Sequence, residues 1–444
     1  MEVKAQRVLV VGLGASGQAA ARLLAAKGAT VIGNDSRDAI EGADALREAG
    51  VELALGHHDE ALFASVDRIV VSPGVPPLSA LKVAEEAGVP IASEVELASW
   101  FVKGTVVAIT GTNGKSTVTS LIGAMAETLG RPSFVGGNLG KPLTAVVDTP
   151  AAEEDGVIVV ELSSFQLERV DRFRANVAVL LNVTDDHLDR YDSFAGYAAA
   201  KGRIFAGQTR ADHALVPAGD ELCVSLARAG AATLHRFGGT GEVRVNGQIV
   251  DTVSGLQLPV SALRLRGRHN HLNAAAAAAA ARLLGVSKDA IAEVLKRFAG
   301  LPHRMEHIRD LAGVAYYDDS KATNVGAAVA ALSGFRGDAG RVVLIAGGKD
   351  KGGSYTPLAE VLGEVGRAVV TLGEAAPLLE DALGDALPVE RATDLSDAVA
   401  RATRLANPGD SVLLAPACSS FDMFRSYAER GDRFQDAVRA LEAV

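Results

Sequence analysis

A short loop rich in glycine and hydroxyl residues has the composition of a site for nucleotide phosphates. Residues 106–123 read VVAITGTNGKSTVTSLIG, an apolar run that leads into a glycine loop and then into a helical pattern. In such loops the backbone N–H groups surround the phosphates, the lysine neutralises their charge, and a Ser or Thr hydroxyl binds Mg²⁺. The usual loop has a glycine six residues before its lysine, but Ile109 stands there, so this loop is of a shortened type. The predicted ATP-binding residues are Gly111, Thr112, Asn113, Gly114, Lys115, Ser116 and Thr117.

A second glycine loop follows the first apolar run of the chain. Gly12, Gly14 and Gly17 have G-x-G-x-x-G spacing, and Asp35 lies on the next apolar run, where a ribose-binding carboxylate would be expected. By itself this pattern predicts only a diphosphate at a helix N-terminus, so NAD is one possible ligand among several. If loop 111–117 binds ATP, loop 12–17 is available for a second nucleotide or for a substrate that carries one.

Acidic residues end the next apolar runs after the ATP loop. Glu161 follows VIVV, and Asp185, Asp186, His187 and Asp189 lie in LLNVTDDHLDRY. Because parallel sheets bind ligands at the carboxyl ends of their strands, we expect these side chains beside the ATP loop. Mg²⁺ takes its ligands from carboxylates, hydroxyls, phosphates and water, which suits this set. The alternatives are a helix N-terminal glutamate at Glu161 and a solvated turn at the Asp-Asp-His segment.

Basic and polar residues farther along are suited to bind anions. His303 and Arg304 lie in LPHRMEH, and Asp319, Ser320 and Lys321 follow the apolar run VAYYD. An arginine, a lysine and an aspartate together suit a γ-phosphate, a ribose or a metal ion. The segments LIAGGKDKGG and LLAPACSSFDMFRSYAERGDRF end further apolar runs and could hold an anionic co-substrate. Taken singly, each of these segments could also be a solvated loop.

The apolar runs that precede these residues predict parallel sheets covered by helices. Short β-branched runs alternate with helical stretches, and several end in Gly, Ser, Thr or Pro before a helical pattern begins. Many are apolar without alternation, as expected of strands that are buried on both faces. The runs are RVLVVG, TVIGND, RIVVSPG, VVAITG, VIVVELS, VAVLLNVT, VVLIAGG, AVVTLG and SVLLAPA.

Two segments depart from this rhythm. Residues 215–265 contain LHRFGGTGEVRVNGQIVDTVSGLQL, where Asn246-Gly247 is a hairpin turn signal, and they predict a small antiparallel excursion. Residues 274–281 are all alanine, which predicts a helix packed close against a sheet.

Two breaks predict three α/β domains. One break lies near Ser99–Gly104, where a helical pattern ends before the ATP loop, and the other at Gly300-Leu301-Pro302. The expected fold is therefore a Rossmann-like domain at 1–100, a central P-loop-type ATPase sheet with the antiparallel excursion at 101–301, and a Rossmann-like domain at 302–444.

Composition narrows the class of protein. The 444 residues carry a dispersed net charge of −10, which argues against nucleic acid as a partner because that ligand needs a basic face. No window of 18 uncharged apolar residues occurs, so no membrane span is predicted. Cys223 and Cys418 lie 195 positions apart, a spacing that suits no metal site, and so few cysteines fit a reducing, cytoplasmic location.

In this combination the chain resembles the ATP-dependent Mur ligases of peptidoglycan synthesis. The resemblance covers essentially the whole length, in order. Within the family it is closest to the branch that adds D-glutamate to UDP-N-acetylmuramoyl-L-alanine (UDP-MurNAc-L-Ala), because of the Rossmann-like start and the PACSSFD segment. The motifs that carry the resemblance are GLGASG, DSR, SPG, GTNGKST, GGN, ELSSFQLE, NVTDDHLDRY, YAAAKGRIF, LPHR, DDSKATN and PACSSFD.

The resemblance implies ligands for both loops and a metal centre. Glu161 and His187 would bind metal with Ser116, and Lys201 would be a carbamylated lysine that binds a second Mg²⁺. From the residues alone, Lys201 would be a surface lysine on a helix. Asn270 and Asn273 would lie near the adenine. The residues implied to bind the UDP substrate are Gly14, Ala15, Ser16, Asp35, Ser36, Arg37, Ser72, Pro73, Gly74 and Asn138.

The same resemblance assigns residues to the amino-acid substrate and to the reaction. Arg304 and Asp319 would lie near the ribose or phosphates of ATP. Gly347–Lys351 departs from the Gly-Gly-Asp-Gly-Lys of some relatives, so either Lys349 or Lys351 could meet D-glutamate, and Tyr427 stands where many relatives have Phe. The catalytic set would be Lys115, Glu161, His187, Lys201 and Lys321, and the D-glutamate set Lys321, Thr323, Lys351, Ser420 and Phe421.

The expected activity is ATP-dependent amide formation through an acyl phosphate, with ATP, two Mg²⁺ ions, UDP-MurNAc-L-Ala and D-glutamate as ligands. A monomer is expected, in which the C-terminal domain closes on ATP and substrate. Three alternatives stay open: a sister ligase that adds another amino acid, such as the L-alanine-adding enzyme, a nicotinamide dehydrogenase, and an ATPase module that only binds.

Overall fold

The structure is a computed structural model that describes residues 3–186, 190–265, 267–383 and 387–442, and the elements below are those of this part of the chain. The chain forms two compact units. The first comprises Met1–Val183, Ala195–Leu258 and Ala274–Val294, and the second comprises Thr184–Phe194, Pro259–Asn273 and Leu295–Val444.

A five-stranded parallel sheet begins the first unit, with strand order β3-β2-β1-β4-β5. Residues Val8–Val11 of its central strand are wholly buried because helices cover both faces, which is why this strand is apolar without alternation. The strands are β1 Arg7–Val11, β2 Thr30–Asp35, β3 Glu52–Leu55, β4 Arg68–Val71 and β5 Ile91–Ser93; the helices are α1 Ala15–Ala26, α2 Ala43–Glu48, α3 Glu60–Ala64, α4 Ser79–Glu86 and α5 Glu94–Ser99.

A nine-stranded sheet follows, in the order β14-β13-β12-β11-β10-β9-β6-β8-β7. Its strands from β7 to β11 pair in parallel, so the carboxyl ends of β6, β8 and β9 lie at one edge. The strands are β6 Thr105–Thr110, β7 Ser133–Gly137, β8 Val157–Glu161, β9 Val177–Leu180, β10 His213–Pro217, β11 Thr233–Phe237, β12 Val243–Val245, β13 Gln248–Asp251 and β14 Leu256–Pro259; the helices are α6 Lys115–Glu127, α7 Ser164–Leu167, α8 Phe194–Gly202, α9 Glu221–Arg228, α10 Arg268–Leu283 and α11 Lys288–Arg297.

The antiparallel excursion is smaller than the sequence predicts. The expected hairpin is present, since β12 and β13 pair antiparallel across Asn246-Gly247 and Gly247 has a φ of +65°. Strand β11, however, pairs in parallel with β10 along residues 233–237, and those residues belong to the main sheet. The prediction that the excursion begins near residue 215 was wrong, because a helix, α9, joins β10 to β11 and lets the parallel order continue.

The second unit contains a six-stranded sheet in the order β15-β16-β20-β17-β18-β19. All neighbours pair in parallel except β15 and β16, which form an antiparallel hairpin. The strands are β15 Glu306–Leu311, β16 Val314–Asp318, β17 Val342–Gly347, β18 Gly366–Leu372, β19 Val389–Arg391 and β20 Ser411–Leu414; the helices are α12 Val325–Ser333, α13 Thr356–Val365, α14 Ala376–Leu383, α15 Leu395–Leu405 and α16 Tyr427–Ala440.

These three sheets confirm the predicted α/β fold class. The alanine run 274–281 lies in α10 with every side chain fully buried, as the small side chains allow. Both cysteines are buried and unpaired. No helix in the described ranges has the length and apolar character needed to cross a membrane.

Candidate functional site

The ATP loop joins β6 to α6. Gly114 precedes the helix with a φ of +86°, a conformation that favours glycine, and Lys115 is the first helical residue. The Lys115 ammonium folds back over the loop and donates to the carbonyl oxygens of Gly111 and Thr112, each at 2.9 Å. Ser116 and Thr117 are buried in the first helical turn. The loop therefore presents a fixed positive charge and a helix N-terminus to the same space.

Asn182, two residues after the end of β9, holds this loop in place. Its backbone carbonyl accepts from Thr112 N at 3.0 Å, and its side chain forms two hydrogen bonds with the backbone of Asn113, at 2.9 and 3.1 Å. Sequence reasoning missed Asn182, although it begins the quoted NVTDDH segment. Its position after a strand that neighbours β6 is the signal by which it could have been found.

Glu161 ends β8 beside the ATP loop strand, because Ile109 of β6 pairs with Glu161. Its side chain is 2% exposed. One carboxylate oxygen, Oε1, accepts from Asn138 Nδ2 at 2.8 Å, whereas Oε2 is buried without a hydrogen-bond partner among the described residues. A buried carboxylate oxygen without a partner is costly, and a bound cation would relieve that cost.

Lys201 is fully buried, so the reading of it as a surface lysine is wrong. It lies in the last turn of α8, is 2% exposed, and its Nζ donates to Gly111 O at 2.8 Å. The same nitrogen lies 4.6 Å from the centroid of the Tyr197 ring, whose hydroxyl hydrogen-bonds to Thr112 Oγ1 at 3.1 Å. Helix α8 therefore brings a lysine and a tyrosine to the ATP loop.

Part of the predicted metal set lies outside the described residues. His187 and Asp189 belong to that part. Asp185 and Asp186 are described, and Asp186 belongs to the second unit.

The three glycines of the first loop differ in what a side chain would meet. Gly12 has a φ of +84°, which favours glycine. A Cβ on Gly17 would lie 1.8 Å from Gly12 O, so Gly17 allows close packing of α1 on the loop. A Cβ on Gly14 would meet no atom within 4 Å, because Gly14 borders a pocket. Gly14 thus leaves room for a ligand at the N-terminus of α1.

Asp35 is hydrogen-bonded on both carboxylate oxygens. Arg37 donates its Nε to Oδ1 and an NH₂ nitrogen to Oδ2, each at 2.8 Å, and Leu13 N donates to Oδ2 at 2.8 Å. These bonds, Arg37 first, hold the pKa of Asp35 well below its usual range. Asp35 fixes the glycine loop and orients Arg37, and it has little capacity left for a ribose hydroxyl.

A pocket of about 370 Å³ is lined by loop 12–17 and by residues that follow β2 and β4. It lies at the switch point of the strand order. It brings together nine of the ten residues that the family resemblance implies for a UDP substrate. The exception is Asn138, which contacts Glu161 instead. The lining residues are Gly12, Gly14, Ala15, Ser16, Asp35, Ser36, Arg37, His58, Ser72, Pro73, Gly74, Val75 and Pro76.

In the second unit, the DDSK segment follows β16 and carries a perturbed carboxylate. Burial raises the pKa of Asp319 to about 7, against the opposing effect of nearby Arg304. Met305 N donates to Asp319 Oδ1 at 3.3 Å. Arg304 and Asp319, both expected near the ribose or phosphates of ATP, are thus neighbours. On α10, Asn273 Nδ2 donates to Asn270 Oδ1 at 3.3 Å.

Lys321 lies against an aromatic ring. Its ammonium is 3.7 Å from the centroid of the Tyr427 ring, at the start of α16. A cation on the face of a ring gains electrostatic stabilisation, and the tyrosine ring supplies this without its hydroxyl.

Arg430 links two loops of this region, at Ser320 and at Cys418–Ser419, and was not singled out from the sequence. It is 1% exposed, and its guanidinium donates to Ser320 Oγ, Ser320 O, Cys418 O and Ser419 O at 2.8 to 3.3 Å. Burial lowers its pKa to about 10. Arg430 lies three residues after Tyr427 in the segment LLAPACSSFDMFRSYAERGDRF, and this proximity is the signal by which it could have been found.

His303 joins Asp318 in a buried pair. Its Nδ1 lies 2.7 Å from Asp318 Oδ2, and that hydrogen bond raises the pKa of His303 above its usual value. Gln435 Nε2 donates to the same oxygen at 2.9 Å and to Glu306 Oε2 at 3.1 Å. These protein hydrogen bonds satisfy the cluster of His303, Glu306 and Asp318 without an ion.

A second pocket, of about 290 Å³, is lined by Lys351 but not by Lys349. Lys351 Nζ lies 3.4 Å from Asp186 Oδ1, while the backbone of Lys349 pairs with Ser419. Asn324 Nδ2 also donates to Asp186, at 3.0 Å. Thr323 is half-buried, Ser420 is 2% exposed, and Phe421 is 71% exposed. None of these last three lines this pocket.

Comparison with known proteins finds three family matches along the chain. They are the MurD-like N-terminal domain of Mur ligases at residues 6–93, the Mur ligase middle domain at 109–281, and the Mur ligase glutamate ligase domain at 303–418. Together they cover most of the sequence.

Full-length relatives match at high identity. The UDP-N-acetylmuramoylalanine–D-glutamate ligase of Trichlorobacter lovleyi is 46% identical over 99% of this chain and 100% of its own. The ligase of the same name from Geobacter metallireducens is 48% identical over 99% of each chain. These matches give no support to a nicotinamide dehydrogenase.

Solved structures share the fold at lower identity. A pseudomurein peptide ligase type C from Methanothermus fervidus is 20% identical, with a TM-score of 0.63 over 98% of this chain and 100% of its own. The UDP-N-acetylmuramate–alanine ligase of Thermotoga maritima is also 20% identical, with a TM-score of 0.61 over 98% and 99%. On the strength of the family matches and the full-length relatives, the chain belongs to the Mur ligase family, in the group of UDP-N-acetylmuramoylalanine–D-glutamate ligases.

Proposed function

We propose that this chain is an ATP-dependent ligase that joins D-glutamate to UDP-MurNAc-L-Ala in peptidoglycan synthesis. One observation carries the proposal: two glycine loops occur in one chain, each at the N-terminus of a helix and each with its own chemistry. Loop 111–117 has a lysine and buried hydroxyls beside Glu161, which suits ATP, and loop 12–17 borders a pocket without such a lysine. A dehydrogenase has no use for the first loop and a simple ATPase none for the second.

The residues beside the ATP loop fit a divalent cation. Glu161 Oε2 is buried and lacks a partner among the described residues, and Ser116 offers a hydroxyl from the helix start. We assign Glu161, Ser116 and His187 as metal ligands, with Lys201, as a carbamate, for a second Mg²⁺. When bound, Mg²⁺ neutralises phosphate and carboxylate oxygens that would otherwise repel one another.

The reaction must activate a carboxylate, because a carboxylate is a poor electrophile. The γ-phosphoryl group of ATP passes to the L-alanyl carboxylate, which gives an acyl phosphate and ADP. The D-glutamate amine then attacks the acyl carbon, and phosphate leaves as the amide forms. Lys115 holds positive charge at the phosphates as the phosphoryl group moves, and we assign Arg304 and Lys321 as further cations.

The remaining residues bind the substrates. Nine residues of the 370 Å³ pocket hold the UDP moiety, with its diphosphate at Gly14, Ala15 and Ser16. Asn138, bonded to Glu161, contacts substrate near the reacting end. Asn270 and Asn273 contact adenine, and Asp319 contacts the ribose. Lys321, Thr323, Lys351, Ser420 and Phe421 bind D-glutamate, and the pocket position of Lys351 favours it over Lys349.

The proposed division of labour follows three domains, namely 1–100 for the UDP substrate, 101–301 for ATP and Mg²⁺, and 302–444 for the amino acid. We also propose a monomer that works in the cytoplasm, an assignment supported by two buried, unpaired cysteines. Light scattering of the purified protein tests the monomer, with a dimer mass as the contrary result.

Phosphate release by the purified protein tests the function. With ATP, Mg²⁺ and UDP-MurNAc-L-Ala, phosphate should appear only when D-glutamate is added, and L-glutamate and L-alanine should give little. Lys115→Ala serves as the control for contaminating ATPases. Release driven by L-alanine would identify a sister ligase instead, and release without any amino acid would identify an ATPase.

A further inference from the structure

We infer that His58 selects the base of the bound nucleotide by accepting a hydrogen bond at Nε2 from the N3–H group of uracil. The inference deepens the proposed function, since it rests on the binding of a uridine nucleotide in the pocket beside loop 12–17. No motif of the sequence pointed to His58, which lies in the connection between β3 and α3.

His58 belongs to the wall of the 370 Å³ pocket, with Asp35, Ser36 and Arg37. Its side chain is half-buried, and its ring meets the buried Phe63 edge-on, with centroids 5.9 Å apart and an interplanar angle of 78°. The edge-on contact with Phe63 therefore helps to hold the His58 ring in one orientation.

Asn34 determines which nitrogen of His58 carries the proton. The Asn34 Nδ2 amide donates to two backbone carbonyl oxygens, Ala54 O and His57 O, each at 2.8 Å. Carbonyl oxygens only accept, so this amide nitrogen cannot be exchanged with Oδ1 by a flip. Asn34 Oδ1 therefore faces His58 Nδ1, at 2.6 Å, and can only accept. It follows that His58 Nδ1 carries the hydrogen.

In the neutral ring, a hydrogen on Nδ1 leaves Nε2 as an acceptor. This acceptor matters because the carboxylate of the pocket is already engaged. Both oxygens of Asp35 accept hydrogen bonds from Arg37 and Leu13. An imidazole acceptor that Asn34 holds in place thus complements a donor on the nucleoside.

Uracil has such a donor, and cytosine does not. Uracil carries a hydrogen on N3, whereas N3 of cytosine is an acceptor and would face the lone pair of His58. A ribose hydroxyl is a second possible donor on the same ligand. The test therefore needs nucleotides that change one of these groups at a time.

Calorimetric titration of the full-length protein with UDP, CDP, 3-methyl-UDP and 2′-deoxy-UDP provides this test. The wild type should bind UDP and 2′-deoxy-UDP alike, and CDP and 3-methyl-UDP more weakly by roughly three- to tenfold, the range of one hydrogen bond. His58→Phe keeps a ring but removes both nitrogens, so the affinity of this variant for UDP should fall to its affinity for CDP. His58→Gln retains an acceptor and should recover part of the preference.

A second readout separates recognition from a merely structural role. Nitrogen-15 NMR of the imidazole ring should show Nδ1 protonated in the free protein, and the Nε2 signal should shift with UDP but not with 3-methyl-UDP. With His58→Phe, the KM for UDP-MurNAc-L-Ala should rise while kcat and the KM for ATP stay unchanged.

Several results would overturn the inference. One is an equal loss of affinity for all four nucleotides in His58→Phe, and another is a loss confined to 2′-deoxy-UDP in the wild type, which would assign the contact to the ribose. A protein that discriminates UDP from CDP but makes no product would keep the role of His58 and refute the ligase function. A wild type that makes product yet binds UDP and CDP equally would keep the ligase function and refute the role of His58.

Discussion

The ammonium nitrogen of Lys201 lies 2.8 Å from the carbonyl oxygen of Gly111, the first residue of the ATP loop. A buried ammonium is costly, and this contact offsets only part of that cost. A carbamate on the same nitrogen keeps one N–H for the carbonyl and adds two anionic oxygens that a hard cation prefers. The position of Lys201 is therefore compatible with either form.

For Lys201→Ala, we expect an almost inactive enzyme, because one Mg²⁺ loses its ligand. Formate or acetate should restore part of the rate by occupying the vacated ligand position. A crystal structure of the wild type should show extra density on Nζ. Lys288→Ala, which removes an exposed lysine, is the matched control and should be fully active. Near-normal activity of Lys201→Ala in buffer depleted of CO₂ would contradict the proposed carbamylation of Lys201.

Lys115→Ala should abolish ligation without unfolding the protein. The lysine contributes charge that matters most as the phosphoryl group moves, and its half-buried side chain fills no core cavity. Single-turnover assays should give less than about a tenth of the wild-type rate, which corresponds to a barrier raised by at least roughly 1.4 kcal/mol. A Lys115→Ala rate above about a tenth of the wild-type rate would show that loop 111–117 takes no part in the reaction.

Gly14→Val and Gly17→Val should fail for different reasons. A side chain on Gly14 meets no protein atom within 4 Å but occupies the pocket, so the variant should fold, bind ATP and lose affinity for UDP-MurNAc-L-Ala. A side chain on Gly17 would lie 1.8 Å from Gly12 O, so that variant should lose stability. Melting curves and titrations with both ligands measure the difference. Equal loss of both ligands in Gly14→Val would argue against the assignment.

Tyr427→Phe should behave like the wild type, whereas Tyr427→Leu should raise the KM for D-glutamate. The ring face lies 3.7 Å from Lys321 Nζ, and phenylalanine preserves this contact. Loss of a cation–π contact of about 0.5–2 kcal/mol predicts a KM increase of roughly two- to thirtyfold. An equal defect in both variants would show that the hydroxyl matters, contrary to expectation.

The His303–Asp318 pair should stabilise the protein more at low pH than at high pH. The pKa of folded His303 is raised above the value of 6.5 by its hydrogen bond to Asp318. This stabilisation is fully present below the unfolded pKa and is lost as the pH rises through the folded pKa. The melting-temperature difference between wild type and His303→Gln should therefore be larger at about pH 5.5 than at about pH 9.

His307→Gln provides the comparison for that measurement. His307 forms an exposed contact with Asp310, at 3.0 Å, and such contacts contribute little. Its replacement should shift the melting temperature by a small amount at both pH values. A difference for His303→Gln that grows with pH would contradict the role of the pair.

Much of the fold and of the first-loop pocket was predictable because the relevant signals are local. The glycine spacing at 12–17, the Lys-Ser-Thr loop and the apolar runs each describe a strand, a turn and a helix start within about twenty residues. Parallel strands then bring their carboxyl ends to one edge, so that the position of Glu161 beside the ATP loop follows from its place at a strand end.

Other features depended on residues far apart in the chain. The burial of Lys201, the support of the ATP loop by Asn182, the four hydrogen bonds of Arg430 and the tautomer of His58 each require a partner from another element. A helical lysine or a loop histidine has the same local sequence whether it is solvated or buried. Periodicity carries no information on such partners, and the same limit hid the parallel pairing of β11 with β10.

The sequence by itself determined the order of elements, the fold class and the two nucleotide-type loops, because backbone conformation at Gly12 and Gly114 and the apolar character of the strands are properties of neighbouring residues. Only the tertiary structure decided which polar groups are satisfied and which are left open. Both oxygens of Asp35 are engaged, whereas Glu161 Oε2 and the acceptor side of His58 are not committed within the described chain. The reason is physical: a hydrogen bond fixes a proton or an acceptor only when folding brings its partner within about 3 Å.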